Sequence, residues 1–308
     1  MLTFVLKRVA FAILTLVVAT VLAFVLVHLS GSTPGAVALG QSGTPEQVYE
    51  YNVEIGWYDP WVTQYLGWVS QVFQGNLGTT FSGQSVNEIL VRTFPNTLRL
   101  ALLAILIQLV LGVLVGLISG LRKGSLFDHG ALLVSLVLIS LPVFVLAFVA
   151  QFFLGIQLGI FRATVGPGAP WGDLILPAIV LAALNFAYVV RLTRTSTIDT
   201  SQQDFVRMAY GKGLSGRRVI PVHVLRNSLI PVTTNLAADF GILIVGATVT
   251  EGIFNVPGVG NELFKAINRH DSPEIVSIVT ILVVIYVLVN LLIDLLYGVL
   301  DPRIRYVK

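Results

Sequence analysis

Six long apolar segments limit what this chain can fold into more than any other feature of its sequence. Hydrophobic residues make up 55% of the 308 residues and charged residues only 11%. A run of about 20 apolar residues spans the hydrocarbon core of a bilayer as an α-helix. The composition therefore predicts an all-α polytopic membrane protein with six transmembrane helices. The approximate predicted spans are Val9–Leu29, Thr97–Leu121, Phe127–Ile160, Leu174–Val190, Leu229–Thr250 and Ile275–Leu300.

The basic residues predict the topology of these spans. Of the 19 Lys and Arg residues, 14 fall in four segments that alternate with acidic or neutral ones. The longest of these segments runs from Arg191 to Arg226 and contains seven of them. Because basic residues concentrate in cytoplasmic loops, we expect these four segments, and with them both termini, to lie in the cytoplasm. An odd number of spans would place one of these basic clusters on the extracytoplasmic side of the membrane.

This topology divides the chain into three parts. Residues 1–30 are the first transmembrane helix, 31–95 an extracytoplasmic subdomain, and 96–308 a five-helix core that includes the cytoplasmic loop 195–228. In the subdomain, four aromatic residues recur at near-helical spacing and predict a short amphipathic helix in the outer interface with its aromatic side toward the bilayer. Such a helix either seals the helix bundle or binds an extracytoplasmic partner. The four residues are Trp57, Trp61, Tyr65 and Trp68.

Three glycines in the second predicted span lie four residues apart and share one helix face. They are Gly112, Gly116 and Gly120. Small residues at this spacing allow the backbone of a neighbouring helix to approach closely. We therefore predict a packing face rather than a binding site.

Polar residues inside the spans are candidates for lining a transport pathway, because an ionisable group in the bilayer must face protein or water. Asp239 lies near the middle of the fifth span with Asn235 one turn away, and Asp294 lies in the sixth span near Asn290. Each aspartate is either a pathway residue or a polar contact between helices. Pro142 interrupts the third span and predicts a bend.

The sequence excludes several classes of activity. There are no cysteines, and the four histidines have no metal-ligand spacing. The segment Gly211-Lys212-Gly213 lacks the other residues of a phosphate-binding loop. No catalytic set is present and the basic residues are explained by topology, so we expect neither an enzyme nor a nucleic-acid-binding protein.

The cytoplasmic loop resembles the coupling loop of ABC importer permeases, in the form typical of the dipeptide, oligopeptide and nickel permease family. The resemblance is strongest over Arg207–Ser215 and Leu225–Pro231. Ala209 and Gly213 match the general signature of these permeases, and Arg207 stands where that signature has Glu. The peptide branch commonly shows this variant. Further similar segments follow in the family's order: Asp59-Pro60-Trp61, Gly75–Gly78, Ser140–Phe144, Glu251–Phe254, Pro257–Gly260 and Asn290–Arg303.

This resemblance implies the type I ABC importer permease fold and the first, B-type subunit of a prokaryotic plasma (inner) membrane system for di- or oligopeptides. The implied partners are a homologous second permease subunit in a heterodimer, two cytoplasmic ATPase subunits or domains, and an extracytoplasmic substrate-binding protein. ATP and Mg would bind the ATPase partners, and this chain itself would hold no cofactor or metal.

The resemblance also implies roles for individual residues. If they hold, replacing Gly213 or Arg207 should uncouple ATP hydrolysis from uptake. The implied ATPase-coupling residues are Asp204, Phe205, Arg207, Met208, Ala209, Tyr210, Lys212, Gly213 and Leu214. The candidates for docking the binding protein are Trp57, Asp59, Trp61, Phe254 and Asn255.

Two alternatives remain open at the level of sequence. A stand-alone ion-coupled secondary transporter could use Asp239 or Asp294 as its ion site, although the paired broken spans of many such proteins are missing. An ABC permease of the same family could also carry nickel chelates, glutathione or another small solute.

Overall fold

The computed structural model of the chain describes residues 2–29, 33–40 and 43–300, and it is built from α-helices. Within these residues, five helical segments are long and apolar enough to cross a bilayer: Leu6–Leu26, Val86–Leu121, Ile175–Ser201, Gly216–Phe254 and Ser272–Ile293. Two further helices, bent by 108° at Leu141–Pro142, count as a sixth crossing if they span together. The predicted all-α polytopic fold is confirmed, and the third predicted span is in fact two sharply bent halves.

We number the helices in chain order. They are α1 (Leu2–His28), α2 (Pro34–Leu39), α3 (Pro45–Glu54), α4 (Trp61–Phe73), α5 (Val86–Ile107), α6 (Val113–Leu121), α7 (Leu126–Ser140), α8 (Val143–Ala150), α9 (Ile175–Ser201), α10 (Asp204–Gly211), α11 (Gly216–Val219), α12 (Arg226–Phe254), α13 (Val259–Arg269) and α14 (Ser272–Leu300). Short π-helical turns join α5 to α6, extend α8, and join α11 to α12: Gln108–Gly112, Gln151–Gln157 and Ile220–Leu225.

Local chemistry explains where several of these helices begin and end. Thr44 and Gln47 form a reciprocal capping box at the start of α3. The Ser125 hydroxyl accepts the backbone N–H of Asp128 and begins α7. Asn255 ends α12 in the left-handed conformation that an asparagine tolerates well.

The helices form two compact units. A terminal unit contains the chain up to Thr97 and again from Pro257, and a central unit runs from Leu98 to Val256. The terminal unit includes α1, the subdomain helices, α13 and α14, whereas the central unit includes α6 to α12. The sequence-based division at residues 30 and 95 stays a prediction.

The glycine face of α6 and of the π-helical turn before it packs against α9 within the central unit, which confirms its predicted packing role. A methyl group built on Gly112 would lie 2.8 Å from Val189, and one on Gly120 would lie 2.7 Å from Thr197. At Gly116 the same atom would lie 2.6 Å from both the Val190 carbonyl oxygen and Thr193. Because Val189, Thr193 and Thr197 also recur every four residues, the two helices contact each other along one continuous seam.

We therefore expect Gly116→Ala to destabilise the protein by about 1–3 kcal/mol, the usual cost of overpacking. The backbone carbonyl of α9 that the new methyl meets cannot rotate away as a side chain can. Gly130→Ala in α7 is the matched control, because a methyl there meets nothing within 4 Å and alanine favours a helix. Thermal unfolding of the purified variants compares them, and equal stability would contradict the close contact.

Candidate functional site

The loop predicted to contact a partner contains a short amphipathic helix, α10. Two residues separate it from the end of α9 at Ser201, and it covers Asp204–Gly211. Two apolar side chains, Val206 and Ala209, lie on its inner side and are 2% and 5% exposed. Their three-residue spacing gives α10 one apolar inner edge and leaves the rest of the helix to the surface.

A small hydrophobic cluster fixes α10 against the chain that follows it. We call this cluster the loop core: Val206, Ala209, Leu214, Val219 and Val224. Its members come from α10, the turn after it, α11 and the π-helical turn that leads into α12. Because the loop core joins α10 to the start of a membrane-spanning helix, a displacement of α10 would be passed to α12.

The outer surface of α10 is unusually apolar for a loop helix. Phe205, Met208 and Tyr210 are 38%, 60% and 50% exposed. Charged residues surround them, including Arg207, whose side chain is 72% exposed and lies 3.8 Å from Asp204. Such an exposed ion pair contributes little to stability. Exposed aromatic and methionine side chains ringed by charges are typical of a protein-binding surface.

The turn after α10 requires glycine. Gly213 has a φ of +79°, its N–H donates to the Tyr210 carbonyl, and the N–H of Leu214 donates to the Ala209 carbonyl. This conformation reverses the chain and brings half-buried Leu214 back into the loop core, while Lys212 stays exposed. Of the predicted coupling residues, Ala209 faces inward and Leu214 contributes to the loop core, and the coupling role of the set stays a prediction.

The two pathway candidates of α12 belong to a polar cluster inside the central unit. Asp239 is only 6% exposed, and the side chains of Gln108 and Asn185 lie beside its carboxyl group. The Asn185 amide donates to Asn235 Oδ1 at 3.2 Å, and Gln108 donates to the carbonyl of Ala182. Helices α9 and α12 and the turn after α5 therefore meet at these groups. This is the geometry of a polar contact between helices, one of the two roles left open for Asp239.

A buried ion pair that sequence reasoning missed joins α7 to α9. Arg194 donates to both carboxylate oxygens of Asp128, at 2.6 and 2.8 Å. The Ser119 hydroxyl and the N–H of Gly124 also donate to Asp128, whose side chain is 2% exposed. Asp128 is a charged residue within the third predicted span, and this was the available signal for the pair. Its partner Arg194 had been attributed to the membrane topology alone. The pair fixes the end of α9 from which α10 follows.

These features belong to a known architecture. Residues 112–306 match the family described as binding-protein-dependent transport system inner membrane component. Residues 1–101 match the N-terminal region described for membrane components of the same systems. The chain belongs to this family. It is therefore a membrane-spanning permease subunit of a binding-protein-dependent importer, as its resemblance to ABC permeases predicted.

Similar curated proteins cover the whole permease. The di/tripeptide transport system permease protein DppB of Pseudomonas aeruginosa is 35% identical, with all of both chains covered. The dipeptide transport system permease protein DppB of Escherichia coli K12 is 34% identical over the same full coverage. A putative peptide transport system permease protein of Brucella abortus is 36% identical over 98% of each chain.

In the terminal unit of the permease, aromatic residues of α4 and of the turn before it pack against α1, and the predicted orientation of α4 toward the bilayer stays a prediction. The Tyr65 and Thr20 hydroxyls share a hydrogen bond at 2.8 Å, and the Trp57 ring stacks on His28 at 4.3 Å. Trp57 is thus half-buried. A further apolar stripe of α4 is exposed, with Val62, Leu66 and Phe73 at 69%, 59% and 89% exposure.

The remaining docking candidates divide by burial. Asp59 and Trp61 are exposed in the terminal unit, and Asn255 is exposed in the central unit. Phe254 is fully buried at 0% exposure, and its carbonyl accepts the N–H of Val165 at 2.8 Å. We therefore correct Phe254 from a docking residue to a core residue, since its side chain is inaccessible to a partner.

The remaining pathway candidates lie at three different places. Pro142 is exposed and lies in the sharp bend, directly before α8. Asn290 is half-buried on α14. The side chain of Asp294 lies outside the described residues.

A buried acidic group that was not predicted connects two parts of the terminal unit. Asp271 Oδ2 accepts the N–H of Phe81 at 2.9 Å, and its Oδ1 accepts the N–H of Glu274. Glu274 in turn accepts a hydrogen bond from Arg269 at 2.8 Å. Burial raises the pKa of the Asp271 carboxyl group above its ordinary value. These contacts hold the loop before α5 against the turn between α13 and α14.

Proposed function

We propose that this permease forms half of the translocation pathway of an ATP-driven importer of di- or oligopeptides. A homologous second permease would form the other half, an extracytoplasmic binding protein would deliver the substrate, and two cytoplasmic ATPase subunits or domains would drive transport. The relatives named as peptide permeases support the substrate class. Both termini and α10 would lie on the cytoplasmic side of a prokaryotic inner membrane, in agreement with the basic residues.

The observation that carries this proposal is the outer surface of α10. Exposed Phe205, Met208 and Tyr210 provide an apolar contact for an ATPase, and the loop core connects that contact to α12. ATP binding would draw the ATPases together and move α10, and hydrolysis would reset it. Nucleotide and Mg would be held by the ATPases, so this chain would supply the contact that receives the motion.

Reconstitution tests the proposal against a secondary transporter. The permease pair is placed in liposomes with and without the ATPase and binding-protein subunits, and uptake of labelled tripeptide is followed. We expect uptake only in the complete system with ATP. Uptake by the permease pair alone, driven by a proton gradient, would contradict the proposal and favour an ion-coupled role for Asp239 or Asp294.

The same assay addresses the substrate class. Nickel chelates, glutathione and tripeptides are offered to the complete system at equal concentration. Preferential ATP-driven uptake of the peptide is expected. Preference for another solute would retain the importer mechanism but reject peptides as the substrate.

A further inference from the structure

One side of α4 is apolar and uncovered, although α4 lies outside the predicted membrane spans. Four apolar residues follow one another along the helix at intervals of three or four and therefore share this side. Three of them are well exposed and Val69 is half-buried. We call this side the apolar stripe: Val62, Leu66, Val69 and Phe73.

Helix α1 sets the depth of the first half of α4. The Tyr65 hydroxyl shares its hydrogen bond with Thr20, and the Tyr65 ring packs edge-on against Phe24 with ring centres 5.6 Å apart. Both α1 residues belong to the membrane-crossing segment Leu6–Leu26. At 1.5 Å per residue they lie about 9 Å and about 3 Å inside its end at Leu26. The first half of α4 therefore runs near the surface of the hydrocarbon core, with Tyr65 reaching into it.

Helix α14 sets the depth of the second half of α4. Trp68 and Gln71 line a cavity of about 470 Å³ within the terminal unit. Ser272 and Val276 of α14 line the same cavity, and the membrane-crossing part of α14 begins at Ser272. Both halves of α4 thus lie level with the points at which α1 and α14 cross the membrane surface.

At this level the apolar stripe points away from the protein. Residues of a helix are turned by about 100° from one to the next, so Leu66 lies roughly 160° round the helix from cavity-lining Trp68. The exposed hydroxyl of Ser70 lies next to the stripe, on the side away from Tyr65. Because Tyr65 reaches toward the hydrocarbon core, this polar side faces water and the stripe faces outward along the membrane surface.

We propose that the apolar stripe contacts the acyl chains of the extracytoplasmic leaflet, so that α4 anchors the terminal unit to the bilayer beside α1. A helix in the membrane interface buries its apolar side about 5–10 Å into the boundary between headgroups and acyl chains, which agrees with the depth of Tyr65. The leaflet is the extracytoplasmic one because the N terminus is proposed to lie in the cytoplasm. The sequence-based prediction turned the aromatic side of α4 toward the bilayer, whereas this proposal gives the lipid contact to the neighbouring side.

Depth and charge both favour lipid over a protein as the occupant of the stripe. A water-soluble binding protein reaches groups on the water side of the boundary, whereas the stripe lies at the boundary itself. Protein-binding surfaces combine an apolar centre with a polar rim, as the charged residues around the exposed side of α10 do. None of the 13 residues of α4 is charged. The proposal needs only the membrane-spanning fold and is independent of the transported substrate.

Quenching from within the bilayer tests this contact, and single labels can be placed because the chain contains no cysteine. Leu66→Cys and Phe73→Cys are each labelled with a fluorophore, and the full chain is reconstituted with its partner permease in liposomes of phospholipid brominated on the acyl chains. Both labels should be quenched about as strongly as a label at Leu22→Cys, which is exposed on the membrane-crossing part of α1. Glu50→Cys, exposed on α3, is the matched control and should be quenched by aqueous iodide instead.

A charge placed on the stripe distinguishes insertion from mere proximity to lipid. In the labelled Leu66→Cys background, Phe73→Asp should lower quenching by the brominated phospholipid at least about two-fold, because a carboxylate is costly among acyl chains. Val53→Asp places the same charge at an exposed apolar position of α3 and should leave that quenching unchanged. Thermal unfolding of both variants verifies that they are folded.

Four results would overturn the proposal. They are quenching of the stripe labels by lipid no stronger than that at position 50, protection of these labels from both lipid and iodide, loss of lipid quenching when the extracytoplasmic binding protein is added, and undiminished quenching in folded Phe73→Asp. The second result would assign the stripe to a neighbouring permease subunit, and the third would assign it to the binding protein. Strong lipid quenching that the binding protein leaves unchanged and that Phe73→Asp reduces supports the anchor.

Discussion

Replacing Asp128 by alanine is expected to lower the free energy of unfolding of the permease by about 3–5 kcal/mol. The change leaves the Arg194 guanidinium, whose side chain is 20% exposed, without its bidentate carboxylate. It also removes the acceptor for the Ser119 hydroxyl and for the N–H of Gly124. Thermal unfolding in detergent, at matched protein concentration, measures the loss.

A double-mutant cycle distinguishes the loss of the ion pair between Asp128 and Arg194 from a general destabilisation of α7. Asp128→Asn and Arg194→Gln should each destabilise strongly, and the double variant should lose less than the sum of the two. Asp204→Asn is the matched control, because Asp204 also faces an arginine but its side chain is 93% exposed. We expect no measurable change in that variant. Additive losses at positions 128 and 194 would contradict a direct pairing.

Replacing Met208 by glutamate is expected to reduce ATP-driven uptake at least ten-fold while leaving the permease folded. Met208 is 60% exposed and lies at the centre of the proposed ATPase contact, where an unpaired carboxylate would be desolvated on binding at a cost of roughly several kcal/mol. Uptake and ATP hydrolysis by the reconstituted complex are measured together with the unfolding temperature of the permease.

Two companion variants show which property of the loop matters. Gly213→Val forces a β-branched residue into a left-handed conformation, so it should distort the turn after α10 and also uncouple hydrolysis from uptake. Lys123→Glu makes a charge change at an exposed position before α7 and should leave uptake intact. Normal coupled uptake by both Met208→Glu and Gly213→Val would contradict the role of α10.

Local patterns in the sequence were sufficient for much of this architecture. Apolar length predicts the spans, since each crossing needs its own run of residues whatever its neighbours are. The four-residue spacing of the glycines predicts the α6 seam, because spacing alone fixes which residues share a helix face. The resemblance to known coupling loops implied coupling residues from Asp204 to Leu214, and α10 begins at the first of them.

Partners that are distant in sequence could not be predicted in this way. Asp128 and Arg194 are separated by 66 residues, and no local pattern connects them. The inward direction of Ala209 could not be predicted, because it depends on the loop core, which residues further along the chain complete. Phe254 lies four residues after the end of the fifth predicted span, where no local pattern in the sequence distinguishes a buried aromatic residue from an exposed one. In each case the decisive information was tertiary packing.

The sidedness of α10 tests the proposed coupling role most directly. A single cysteine at position 208 is exposed to a membrane-impermeant thiol reagent in vesicles of each orientation, with and without the ATPase subunits. The account predicts modification from the cytoplasmic side only, and loss of that modification when the ATPases are bound. Modification from the outer side, or a cytoplasmic rate that the ATPases leave unchanged, would contradict it.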